Sequence, residues 1–293
     1  MKSWSQNMKK WLLLLILICL VLSGCTRQEP AQIAATTLPV YEFTAAICEG
    51  TGLNVTRLVT EDVSCLHDYT VQVSQMQTVE SAEVVICNGA GLEEFLEDVL
   101  EKANCVVDAS AGLELHCAEE HHHDGHHHEQ DPHIWLSPVN AKQMCITICK
   151  ELTALYPQNK DQFQSNLDTL LQKLDALQAY GEAELKELKN RNLMTFHDGF
   201  TYFAESFDLH ILKAVEEESG SEASAKELIE IIDLINHEQL PAIFTEQNGS
   251  TAAANIIAAE TSTKIFALDM AMSGDSYFEA MYHNIDTVKE VLG

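Results

Sequence analysis

The sequence predicts an α/β fold in which two parallel-sheet lobes flank one long, rigid helix. Three observations carry that prediction. Short apolar runs are closed by turn residues, helical periodicities lie between them, and one sustained helical stretch occupies the middle of the 293 residues. Strands buried on both faces read as continuous apolar runs, and their alternation with helices is the rhythm of βα units in a parallel sheet.

The elements follow in order. LNVTRLVT (53–60), AEVVICNG (82–89) and NCVVDAS (104–110) read as buried strands, with helices expected around 41–50, 71–80 and 92–102. From Asn140 to about Lys189 the pattern is helical, broken once at Pro157, a residue accepted in a first helical turn and rarely inside. Beyond the break, Phe163, Leu167, Leu170, Leu171, Leu174, Leu177 and Leu185 form one apolar stripe. The βα rhythm then resumes: RNLMTFHDGF, HILKAV, LPAIFTE and TKIFALD read as strands, KELIEIIDLINHE and TAAANIIAAE as helices. The expected organisation is two Rossmann-like lobes, residues 39–157 and 190–293, joined by a helix over 158–189. A single α/β domain with a long helix laid across it is the alternative.

Ahead of the lobes, Lys2, Lys9 and Lys10 precede an unbroken apolar run from Trp11 to Leu22 that ends in small residues. That run is too short to span a bilayer comfortably and has the pattern of a secretory signal, here residues 1–24. Leu22-Ser23-Gly24-Cys25 resembles a bacterial lipobox, which implies a lipid on Cys25 and a soluble body anchored to the outer face of the cell membrane. Residues 25–38 are small and polar and read as a tether.

The formal charge is −28, and losing the three leader lysines takes it to −31. Phosphate contacts need Lys and Arg, so nucleic acid is excluded as a partner. Nine cysteines leave seven once Cys19 departs with the leader and Cys25 is lipidated, an odd number for a disulfide framework. Cys145 and Cys149, four apart on a predicted helix, read as small buried apolar residues, as does Cys87 in EVVICNG.

Four residues stand where a ligand site is expected. His67 follows the first predicted strand, His133 sits in DPHIWLSP, His197 ends LMTF, and Asp269 ends TKIFAL. Ligand sites of open α/β sheets lie at the carboxyl ends of strands, and residues so placed in both lobes converge in the cleft between them. Three imidazoles and a carboxylate suit a borderline cation such as zinc.

The run HDYTVQVSQMQTVESAEVVICNGAGLEEFL resembles the first-lobe signature of the zinc and manganese solute-binding lipoproteins of bacterial ABC importers. DPHIWLSPVNAKQM, LYPQNKDQF, FHDGFTYFAESFDL and LDMAMSGDSYFEAMYHNIDTV resemble further segments of that family, in the family's order. The resemblance implies a metal site in the interlobe cleft, with His67, His133, His197 and Asp269 as ligands and Glu246, ending AIFTE, as the reserve carboxylate. It also implies a monomer that captures metal and docks on a membrane permease, whose ATPase acts indirectly. Cys65-Leu66 and Thr70-Val71 depart from the family pattern beside the first histidine, and SGSEAS departs before the second-lobe helix.

Manganese-preferring members carry a glutamate where this chain has His197, and three nitrogens favour zinc over manganese, so Zn2+ is the expected ligand and Mn2+ the second choice. His121, His122, His123, His126, His127 and His128 surround an Asp-Gly pair and read as a collector of weakly held metal ions, within a loop over 116–130. No catalysis is expected. His128 and His133 are five apart with Pro132 between them, whereas the zinc-protease motif needs i, i+4 on a helix. An exported zinc hydrolase is the remote alternative, and a lipoprotein adhesin on the same fold is compatible with metal capture.

Overall fold

Ile33–Ala35, three buried residues between polar neighbours, form the first strand, β1. The computed structural model describes residues 32–63, 66, 69–116, 130–216, 223–249 and 251–293. The leader, the lipobox with Cys25, His67 and the tract from His121 to His128 lie outside them. β1 corrects the tether expected over 25–38: the lobe already begins at residue 33. Its Ile-Ala-Ala run lies within the small, polar stretch AQIAATT, where nothing in composition distinguishes a strand from a tether.

The first lobe continues with α1 (Leu38–Cys48), β2 (Val55–Arg57), α2 (Val73–Ser81), β3 (Val84–Cys87), a 3-10 turn at Glu94–Leu96, α3 (Glu97–Leu100) and β4 (Val106–Asp108). The second holds β5 (Asn192–His197), α6 (Thr201–Ser206), β6 (His210–Glu216), α7 (Ala225–Glu238), β7 (Ala242–Glu246), α8 (Ala252–Glu260), β8 (Lys264–Leu268) and α9 (Tyr277–Leu292). Between them lie α4 (Pro138–Leu155) and α5 (Lys160–Glu184), parted at Pro157 as the sequence predicts. Both sheets are parallel and share one topology, β2-β1-β3-β4 and β6-β5-β7-β8.

Period-two alternation divides each strand between two cores. Ile33, Val84 and Ile86 face the main cluster, whereas Ala34, Val85 and Cys87 face a smaller one under α2 and α3. Leu193 likewise faces the main cluster, and Met194 and Phe196 a second small one against α7. The main cluster runs unbroken through both lobes and the α4–α5 spine. On α5, Phe163, Leu167, Leu170, Leu174 and Leu177 are the buried stripe, and Gly181 lets the helix approach Phe207, whose ring would stand 2.2 Å from any added Cβ. Asn166 donates to the carbonyls of Ile47 and Glu49 at the end of α1, and Tyr180 donates to Asp286 of α9, so the spine is bonded to both lobes.

The segment after β8 is gripped from the first lobe. Arg57 donates to the carbonyls of Met272 (3.1 Å) and Gly274 (2.9 Å), Trp135 Nε1 to that of Met270 (2.7 Å), and Glu42 accepts from the Tyr277 N–H (2.6 Å). Five described thiols, Cys48, Cys87, Cys105, Cys145 and Cys149, are unpaired; Cys145 and Cys149 are buried in α4 as expected, and burial pushes the Cys48 thiol up to about 12.

Candidate metal centre

The order β6-β5-β7-β8 reverses between β5 and β7, and crevices beyond strand ends at such a reversal are where α/β sheets hold ligands. β5 ends at His197 and β7 ends at Glu246. Both side chains are nearly enclosed, and Glu246 Oε1 lies 3.4 Å from His197 Nδ1. Glu246 therefore faces the ring nitrogen opposite Nε2.

His133 reaches the same place from the first lobe. It opens the 3-10 turn Ile134–Leu136, which leads into α4 through Ser137, the N-cap, and Pro138 in the first turn. The His133 N–H donates to Asp131 Oδ1 (2.9 Å), and its ring Nδ1 lies 2.8 Å from the same oxygen. A carboxylate on Nδ1 fixes the ring and leaves Nε2 as the metal-facing nitrogen.

The two imidazoles meet with their Nε2 atoms 3.2 Å apart and their planes at 85°. In the tautomers that carry the proton on both Nδ1 atoms, facing Asp131 and Glu246, both Nε2 atoms present lone pairs, and a cation between them would convert that repulsion into coordination. Two nitrogens each about 2.0–2.1 Å from a tetrahedral zinc ion stand about 3.3 Å apart. The donor set and its spacing thus fit the ion the sequence predicts.

Gly199 makes room for the pair. A Cβ there would come within 2.7 Å of His197 Cδ2, 2.8 Å of Met270 Cε and 3.1 Å of His133 Cδ2. Gly199→Ala is expected to displace both rings and weaken zinc binding about tenfold or more while the protein remains folded, as for loss of outer-sphere support. Chelator competition beside a circular-dichroism melt checks it; wild-type affinity in the folded variant would contradict this role.

Asp269 follows β8 directly. Asn284, completely buried on α9, donates to its carbonyl and accepts from its N–H, both at 2.7 Å, and Asp269 Oδ1 accepts from the Ala271 N–H. Burial raises its carboxyl above the ordinary value, partly offset by that N–H and by His283. Of the predicted ligands, His133 and His197 come together, Glu246 stands behind His197, and Asp269 is pinned at the next strand end. Among the described residues no group of three or more His, Cys, Asp or Glu side chains assembles into a metal cluster. Asp131 and Gly199 went unassigned in the sequence; only the Asp-x-His spacing hinted at the first.

The residues that flank the His-rich tract, His116 and Asp131, meet beside this centre. The Asp131 N–H donates to the His116 carbonyl, and His116 Nε2 lies 2.8 Å from Glu205. Next to these residues is a cavity of about 420 Å³, whose lining includes Asp131, Asp198, Thr201 and His210.

Comparison with known proteins gives this geometry a family. A Streptococcus pneumoniae serotype 4 protein named zinc-binding lipoprotein AdcA is 31% identical over 97% of this chain, and the chain spans 61% of that relative's length. A crystal structure of ZnuA superposes with a TM-score of 0.79 at 29% identity, covering 90% of this chain and 100% of that one. The Pseudomonas aeruginosa protein FpvC, solved in complex with Mn2+, gives 0.81 at 26% identity over 90% and 99%. Residues 33–291 match the family profile described as "Zinc-uptake complex component A periplasmic", and the chain belongs to that family.

Proposed function

We propose that this chain is the extracytoplasmic solute-binding component of an ABC importer, capturing Zn2+ between its lobes and delivering it to the membrane permease. The observation that carries this reading is the pair of enclosed imidazoles with Nε2 atoms 3.2 Å apart, each backed by a carboxylate. His133 and His197 bind the ion, with His67 and Asp269 completing the set; Asp131 and Glu246 hold the rings in register. Glu246 acts as ligand only if it swings past the His197 ring.

The family is one of metal-binding solute capture, not of enzymes, and its members work with ABC permease components. The lipid on Cys25 anchors the protein outside the cell, the His-rich tract gathers ions near His116, and a single copy docks on the permease. No described helix is long and apolar enough to cross a membrane. Because both lobes and the spine share one core, and Arg57, Trp135 and Glu42 bridge them, capture involves a small tilt and not a wide hinge. Manganese is the second choice, supported by the Mn2+ complex of FpvC.

Titration calorimetry of residues 26–293 with Zn2+ and with Mn2+ tests the reading. One tight zinc site is expected, with weaker manganese binding. Imidazole must shed its proton to bind metal, so lowering the pH from 7.5 to 5.5, through the imidazole value near about 6.5, should weaken zinc at least tenfold. Tighter manganese than zinc would reverse the metal assignment, and the absence of any tight site would overturn the function.

A further inference from the structure

The first sheet has its own reversal, between β1 and β3, but there the crevice is filled from within. The side chain of Glu93 enters it and is buried. Its Oε1 accepts from Thr36 Oγ1 just beyond β1 and from the Asn88 N–H just beyond β3, both at 2.7 Å; its Oε2 accepts from the Gly89 N–H at 3.0 Å. Where the second lobe uses the reversal to present a metal histidine, the first lobe installs a carboxylate.

What that carboxylate holds is the turn carrying Asn88. The Asn88 side-chain amide donates to the Gly89 carbonyl and, at 3.0 Å in a buried bond, to the carbonyl of Pro132. Gly89 has φ +83°, and an added Cβ there would collide with Asp108 and Ser110, so the turn is closed from the β4 side as well. The carbonyl of Pro132 and the N–H of His133 belong to one planar peptide. Asn88 takes its oxygen, and Asp131 Oδ1 takes its hydrogen. A plane held at both edges fixes where the Cα of His133 projects its ring.

We infer that Glu93 and Asn88 are positioning residues of the metal centre, setting the aim of His133 through the Pro132–His133 peptide. The inference rests on the zinc-capture reading above. Neither side chain touches the ion; they act on affinity by pre-organising one ligand. Burial drives the Glu93 carboxyl up to about 7 even against its three donors, so its place in the crevice is costly for the fold.

The test uses the purified protein and its Asn88→Ala, Glu93→Gln and double variants, each first checked for a cooperative melt. Zinc dissociation constants come from chelator competition, and the d–d spectrum of the Co2+-loaded protein reports ligand geometry. Asn88→Ala and Glu93→Gln should each weaken zinc about tenfold, within the range seen when outer-sphere partners are removed, and alter the Co2+ bands. Because both act through one carbonyl, the double variant should be no weaker than the weaker single. Folded variants with wild-type affinity and an unchanged Co2+ spectrum would overturn the inference and leave Glu93 a purely structural carboxylate. If Glu93→Gln does not fold, Asn88→Ala decides alone. His133→Ala separates the two levels: if it binds zinc like the wild type, the capture reading fails, whereas its loss of binding beside unaffected Asn88 and Glu93 variants defeats only this inference.

Discussion

Replacing His197 with alanine should abolish tight zinc binding while leaving a folded protein. Removal of the ring takes away one nitrogen of the 3.2 Å pair, and with it the imidazole that Glu246 faces. If four ligands share a binding free energy of about 10–16 kcal/mol, one is worth about 3 kcal/mol, a hundredfold or more in affinity. The fold should tolerate the change, since β5 remains paired on both sides with β6 and β7. Competition titration reads the affinity and a thermal melt the fold. A stoichiometric zinc site of wild-type strength in the variant would remove His197 from the centre.

The chain displays its architecture where burial is two-sided. β3, buried at every position, reads as the run VVIC, and β7 as AIFT, so strand identity survives in composition alone. The α5 stripe is equally legible, because a helix touching both lobes must repeat its apolar residues at three and four. β1 escapes, since its IAA run lies in a small, polar stretch that reads as a tether, whereas β2 and β4, equally short, sit inside longer apolar runs. At the site, His197 is legible because it ends a patterned strand, and His133 because it stands in the family-like run DPHIWLSP. Their supports are less so: Glu246 is expected only as a reserve ligand and stands behind the His197 ring, Asp131 acts two residues away through a turn, and Gly199 matters only because two rings from different lobes converge on it. Glu93 lies in the GLEEFL run, but its three donors come from residues 36, 88 and 89, a combination that exists only once β1 and β3 are side by side.

Trp135→Ala should be the most damaging single change to stability. The indole is completely buried and its Nε1 donates to the Met270 carbonyl across the lobes, while the residue's backbone carbonyl, which the substitution keeps, accepts from Tyr277 Oη at 2.9 Å. Truncating a buried Trp costs about 3–5 kcal/mol, a large share of a total of about 5–15. For a protein of this size that is a fall of about 10 °C in Tm. Trp135→Phe separates packing from hydrogen bonding: it keeps most of the volume but leaves the Met270 carbonyl without its donor, at a cost of about 1–3 kcal/mol. Met270 follows Asp269, and Arg57 and Glu42 still grip the segment beyond it, so the loop should loosen locally without detaching. The consequence for the proposed metal centre is a smaller zinc-induced rise in Tm for Trp135→Phe than for the wild type, because loaded protein must first restore the aim of its proposed ligand Asp269. Paired melts of metal-free and zinc-loaded protein measure both effects. A Trp135→Ala melt within about 2 °C of wild type would deny the indole its cross-lobe role, and an equal zinc-induced rise in Trp135→Phe would show that Asp269 does not depend on it.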